Sequence, residues 1–134
     1  MRLQLNRRGE AAQTMVEFAL ILPVLLMLVF GIFEFGRAFF AYNAITNATR
    51  EAARYGTVDP TNTIAIQQTA VDSSVGIGIT TANVTVQCLN ASVETADSCV
   101  YNNRLRVTVS YTFTAVVPIV PDIPMTGVST MRIE

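Results

Sequence analysis

Residues 18–33 (FALILPVLLMLVFGIF) run for sixteen positions without a charge. Apolar side chains occur on every side of this run rather than along one stripe, which argues against the surface helix of a soluble protein. A bilayer core requires about 20 apolar residues in a helix, and the flanks supply the remainder. Ala11, Ala12, Met15 and Val16 lead in around Gln13, Thr14 and Glu17, while Phe35, Ala38, Phe39, Phe40, Ala41 and Tyr42 continue past Glu34 and Arg37. The segment reads as a single-pass span over residues 15–42 with an aromatic outer boundary. Arg2, Arg7 and Arg8 precede it, and the positive-inside bias places that end in the cytoplasm and the residues after about 42 outside. A cleaved secretory signal is the competing reading, but its best small-x-small site, Gly36-Arg37-Ala38, carries a charge and follows Glu34 closely. Pro23 removes a hydrogen bond to the carbonyl of Ala19, so a bend without a break is expected there. Gly31 and Gly36 offer small surfaces to a neighbouring helix.

Helical periodicity continues beyond the apolar run. Phe35, Phe39, Tyr42, Ile45, Ala48, Ala52 and Tyr55 recur at spacings of three or four and predict the packed stripe, and Gly56 is the expected C-terminal cap. The reading is one long helix over residues 13–56, its first half in lipid, followed by an extracytoplasmic domain over residues 57–134. Within that domain Asp59-Pro60-Thr61 opens a short second helix over residues 61–74, closed by Gly76 and Gly78. The period then becomes two. Val84, Val86 and Cys88 share one strand face, and Leu105, Val107, Val109, Tyr111, Phe113, Ala115 and Val117 share another over residues 104–117. After a break at Pro118, Pro121 and Pro124, residues 128–133 supply a third strand. The fold class is α+β: a long N-terminal helix on a small antiparallel sheet, with a short second helix.

Cys88 and Cys99 are the two cysteines. Their spacing excludes a CxxC redox or zinc motif, and outside the cytoplasm a disulfide closing the intervening polar loop is expected, contributing up to ~3 kcal/mol. The alternative is two unrelated thiols.

Composition narrows the function. The 134 residues include no His and only 14% charged residues, with a formal net charge of -1. Absence of His removes the commonest general base and metal ligand, and the charge balance lacks the basic footprint of a nucleic-acid binder. Asp59, Asp72, Glu94, Asp97 and Asp122 show no catalytic spacing, so no enzyme activity, cofactor, metal or small-molecule substrate is expected. Glu17 is the unusual ionisable residue. A carboxylate at the edge of an apolar helix is costly to desolvate and calls for a partner; Gln13 and Thr14 are the local donors, and the alternative is a side chain reaching back to the headgroups. Glu34 and Arg37, at i and i+3, are expected to pair at the outer interface.

The basic residues and Gly9, followed by the VEFAL-LP, FGI-EFGR and AREAARYG elements across residues 16–58, resemble the TadE-like family, the pseudopilins or minor pilins of the tight-adherence (Tad) branch of type IV pilus systems. The closing VTVSYTFT and TMRIE strands are also similar to that family. The resemblance implies a pilin-like fold, a bacterial inner-membrane location with the C-terminal domain outside, and a role in assembling or initiating a surface pilus used in adhesion. It further implies partners among other pilin-like subunits and the inner-membrane pilus assembly platform. Residues 1–12 become a cytoplasmic leader, removed by a prepilin peptidase between Ala12 and Gln13. Glu17 is then the fifth mature residue and accepts the new N-terminal amine of an adjacent subunit. The pattern departs at the cut: the family has Gly immediately before it, whereas Gly9 lies three residues earlier. An uncleaved single-pass assembly scaffold of the same machinery is therefore the second reading. An α-amino group with a pKa near ~8 is mostly protonated at pH 7, so it suits the Glu17 carboxylate in low dielectric.

Overall fold

The structure, a computed structural model, describes residues 4–133 except Ala91, Val93, Asp97, Pro118 and Ile119, with side chains from Ala12 onward. Arg2, Asp97 and Pro118 of the sequence expectations lie outside the described residues, as do the side chains of Arg7 and Arg8. The chain divides into two compact units, Met1–Gly36 and Arg37–Glu134.

Helix α1 spans Gln4–Val58 and passes unbroken through Pro23. Its first part forms the first unit, where the apolar side chains point outward in all directions: Phe18, Leu20, Ile21, Val24 and Met27 are all more than 60% exposed. Exposure of this kind is stable in water for no helix and is the normal state of one in lipid. The segment from Ala12 onward is long and apolar enough to cross a membrane.

The second unit is built on the C-terminal part of α1. Helix α2 (Thr63–Asp72) begins at Asn62, whose side chain accepts from the Ala65 N–H at 3.1 Å and satisfies a donor that has no partner within the helix. Gly76 and Gly78, both at positive φ, reverse the chain after it. Strands β1 (Val84–Leu89), β2 (Arg104–Phe113) and β3 (Ile123–Arg132) then form an antiparallel sheet in the order β1-β2-β3. Register follows the alternation read from the sequence. Val84 faces Val109 and Val86 faces Val107 across the first pair, while Val107 faces Ser129 and Val109 faces Gly127 across the second. Leu105, Val107 and Val109 are fully buried and join Ile45, Ala52, Ala53, Ile66, Ala70, Val84 and Ile133 in one core. Gln67 ties α2 to β1 by donating to the Val84 carbonyl at 2.9 Å.

The α+β architecture agrees with the sequence reading; four details differ. The buried face of α1 is Ala41, Ile45, Ala48, Thr49, Ala52, Ala53 and Gly56, whereas Phe35, Phe39, Tyr42 and Tyr55 of the expected stripe are exposed. Small residues win because they let the helix backbone lie close to the sheet. Gly56 accordingly caps nothing: it lies inside α1, and a Cβ there would overlap the Leu105 side chain and sit 3.0 Å from Ile66 Cδ1. Strand β2 ends at Phe113 rather than Val117 because neither neighbouring strand extends beyond that level. Strand β3 begins at Ile123, ahead of the expected 128, and includes Pro124 opposite Thr112. Because β3 is an edge strand with one neighbour, the missing proline N–H can face outward without removing a ladder bond.

Candidate functional site

The residues singled out by their chemistry fall on α1 and on one loop of the sheet. On the N-terminal part of α1, Ala12 and Gln13 lie about one turn before Glu17. Helical i,i+4 spacing brings the Gln13 amide to the carboxylate, with Nε2 donating to Oε1 at 3.3 Å. A neutral amide satisfies one lone pair of the carboxylate but brings no opposite charge. A Glu17 carboxylate in low dielectric would therefore still gain from a cation supplied by another molecule. Around it the surface is apolar, with Met15 77%, Val16 60% and Phe18 62% exposed. A helix so clad can meet lipid tails or the apolar faces of similar helices, and a charge set in it fixes the register of any such contact.

Further along, Glu34 is buried, at 6% exposed. Arg37 places its guanidinium over the Phe113 ring, 5.1 Å from the centroid, which is cation–π geometry.

In the sheet, Cys88 and Cys99 form the expected disulfide, with Cα atoms 5.3 Å apart. It closes the connection between β1 and β2, whose backbone is also held by Ala96 N–H donating to the Cys88 carbonyl at 2.8 Å and Asn90 N–H donating to the Glu94 carbonyl at 2.9 Å. Among the described residues, no three His, Cys, Asp or Glu side chains approach closely enough to hold a metal ion.

One feature had no signal in the sequence. Arg37, Phe40, Gly76, Ile77, Tyr111 and Phe113 surround an open depression of ≈ 230 Å³ where α1 enters the second unit. Three stretches of chain contribute to it: α1, the turn after α2, and β2. Only the glycines of the turn after α2 hinted that another element must approach closely there.

A family model described as TadE-like protein matches residues 12–54. The match begins at Ala12 and ends four residues before α1 does, so it includes Glu17, Pro23, Glu34, Arg37 and the small-residue face that meets the sheet except Gly56. The resemblance to the TadE-like family thus holds over that segment. No curated protein and no solved structure matches the chain.

Proposed function

We propose that this protein is a membrane-anchored, non-catalytic subunit of a Tad-type pilus system, a minor pilin or pseudopilin that takes part in assembling or initiating the fibre. The observation that carries the reading is the coincidence of the TadE-like match over residues 12–54 with a helix apolar enough to span a membrane. In this reading α1 holds the chain in the inner membrane with residues 1–12 in the cytoplasm and the sheet domain outside. Its apolar surface packs against pilin-like helices of neighbouring subunits, and Glu17 receives the N-terminal ammonium of one of them. Cleavage by a prepilin peptidase between Ala12 and Gln13 frees the corresponding amine of this chain.

A second reading is supported by two observations. Helix α1 is continuous from Gln4 across residues 12 and 13, and Ala12 rather than Gly stands immediately before the proposed cut. An uncleaved scaffold, anchored permanently beside the assembly platform, fits both. Intact mass of the protein purified from a host with an active pilus system separates the two. A mature chain beginning at Gln13 supports the pilin-like subunit; an intact leader supports the scaffold; recovery in the soluble fraction refutes both. Glu17→Ala supplies the companion test: the sheet domain stays folded and the chain stays in the membrane, while its recovery with the pilus machinery falls. Unchanged recovery removes the role assigned to Glu17.

A further inference from the structure

The sheet has one face turned toward the core, that of Leu105, Val107 and Val109, and an opposite face that no part of the assembly role uses. Register places Leu89, Arg104 and Arg132 in one row across that outward face and Gln87, Arg106 and Thr130 in the next. The chain has net charge -1 and no Lys, so these are three of its nine basic side chains gathered on two rows. Arg104 and Arg132 are directly opposite each other, an arrangement of like charges that repels. Acidic side chains do not relieve it. The outward positions of all three strands hold no Asp or Glu, and among the described residues no carboxylate pairs with any of the three arginines. Glu94, in the connection after β1, accepts instead from Asn90 Nδ2 at 3.4 Å.

Two details show guanidinium groups held ready for an acceptor. Asn102 lies in the left-handed region at φ 74°, which Asn tolerates better than most residues. Its N–H donates to the Ile133 carbonyl at 3.2 Å, and its Oδ1 accepts from the Arg132 guanidinium. A neutral amide oxygen orients that cation without cancelling its charge. Arg106 Nε is buried and has no hydrogen-bond partner among the described residues, although a buried donor left unsatisfied costs stability. Neighbouring strands lie about 4.8 Å apart and alternate residues of one strand about 7 Å apart, so the three side chains are rooted within about 9 Å of one another.

We infer that this end of the outward sheet face binds an acidic polysaccharide, whose carboxylate or sulfate groups are held by Arg104, Arg106 and Arg132. The planar fork of Arg matches such groups with two parallel hydrogen bonds. Gln87, Thr108 and Thr130, in the same rows or the next one, supply amide and hydroxyl groups suited to sugar hydroxyls. Tyr101, 77% exposed beside Asn102, offers one ring to a sugar face. Strands of nucleic acid call for successive stacking rings, and protein partners for aromatic or apolar anchors in pockets; the outward positions of the strands carry no aromatic residue. The inference stands on the sheet alone, so its failure leaves the reading of α1 untouched.

The full-length protein in uncharged polyoxyethylene micelles is titrated against polygalacturonate, neutral dextran, poly-glutamate and oligo-thymidine, the two other polyanions matched in charge. Expected is salt-sensitive binding of polygalacturonate, tighter than that of poly-glutamate or oligo-thymidine, and none of dextran. Arg104→Gln and Arg132→Gln each lower the affinity by about tenfold. Arg106→Lys, which keeps the charge and discards Nε, also lowers it. Arg50→Gln with Arg54→Gln, exposed on α1, removes two positive charges elsewhere and leaves it unchanged. Far-UV circular dichroism and the urea midpoint confirm that each variant is folded; should Arg132→Gln fail this check, Arg104→Gln, which relieves the repulsion, carries the test. No binding of polygalacturonate, equal affinity for poly-glutamate or oligo-thymidine, or an equal loss from the Arg50 and Arg54 pair overturns the inference.

Discussion

Gly127→Ala tests how closely α1 approaches the sheet. Gly127 lies on the buried face of β3 opposite Val109, and a Cβ there would be 2.6 Å from Ile45 Cγ2, 3.2 Å from the Ile45 carbonyl oxygen and 3.2 Å from Thr49 Cγ2. Ile45 is 1% exposed and Thr49 1%, so neither side chain has open space to enter. The carbonyl belongs to the helix backbone, which can retreat only by lifting a turn of α1 off the strand. Overpacking a filled core costs about 1–3 kcal/mol. Replacing glycine within a strand returns about 0.5–1 kcal/mol through the lower entropy of the unfolded chain. The net expectation is a loss of about 1–2 kcal/mol. Urea unfolding of the full chain in detergent micelles, followed by far-UV circular dichroism, should show a midpoint lower by roughly 0.5–1.5 M at an m-value near ~1.5 kcal/mol/M. The same change made in Ile45→Ala protein should cost about 1 kcal/mol less, because the nearest clash is gone. A neutral Gly127→Ala, or an equal cost in both backgrounds, would refute the close approach and with it the explanation for the alanine-rich face of α1.

Three further outcomes follow from the same geometry. Cys88→Ser with Cys99→Ser opens a loop whose ends are 11 residues apart and should lower stability by about 3 kcal/mol on the loop-entropy estimate; a thermal midpoint equal to that of the parent protein would contradict this. Asn62→Ala removes the cap of α2 and should cost about 1 kcal/mol, read as a lower urea midpoint, while Asn62→Asp keeps it near the parent value. Glu17→Ala should leave that midpoint unchanged, because its partner in the chain is the exposed amide of Gln13; a shift of more than about 0.5 kcal/mol would mark a structural role beyond that expected of a surface substitution.

The parts legible in the sequence are those fixed by local period. Alternation of Leu105, Val107 and Val109 against Arg106 and Thr108 requires a strand with one buried face, and the charge-free run from Phe18 requires a helix surrounded by apolar material. The cysteine pair was readable because the expected compartment made bonding the default. Less legible were features set by distance between elements. Spacing placed Phe35, Phe39, Tyr42 and Tyr55 on one stripe with Ile45, Ala48 and Ala52, and of these the last three are buried while the aromatic residues are exposed. The sheet instead comes so close that Ala48, Ala52 and Gly56 fit and rings do not. Pro124 was read as a break because its cost depends on whether the strand is central or at an edge, which one segment of sequence cannot specify. At the site, Glu17 was visible as a charge in the wrong solvent, while the depression beside Arg37 was invisible because three separate stretches of chain converge on it.

The central claim is that α1 brings this chain together with other pilin-like helices inside a membrane. A photo-crosslinking amino acid placed at Leu25, exposed on the apolar part of α1, in cells that assemble the pilus tests it most directly, with a second placed at Val58 as the control outside the span. The account predicts membrane-fraction adducts from position 25 whose partners are pilin-like subunits or the inner-membrane assembly platform, reduced in Glu17→Ala chains. Adducts to lipid alone, or recovery of the protein from the soluble fraction, would contradict it.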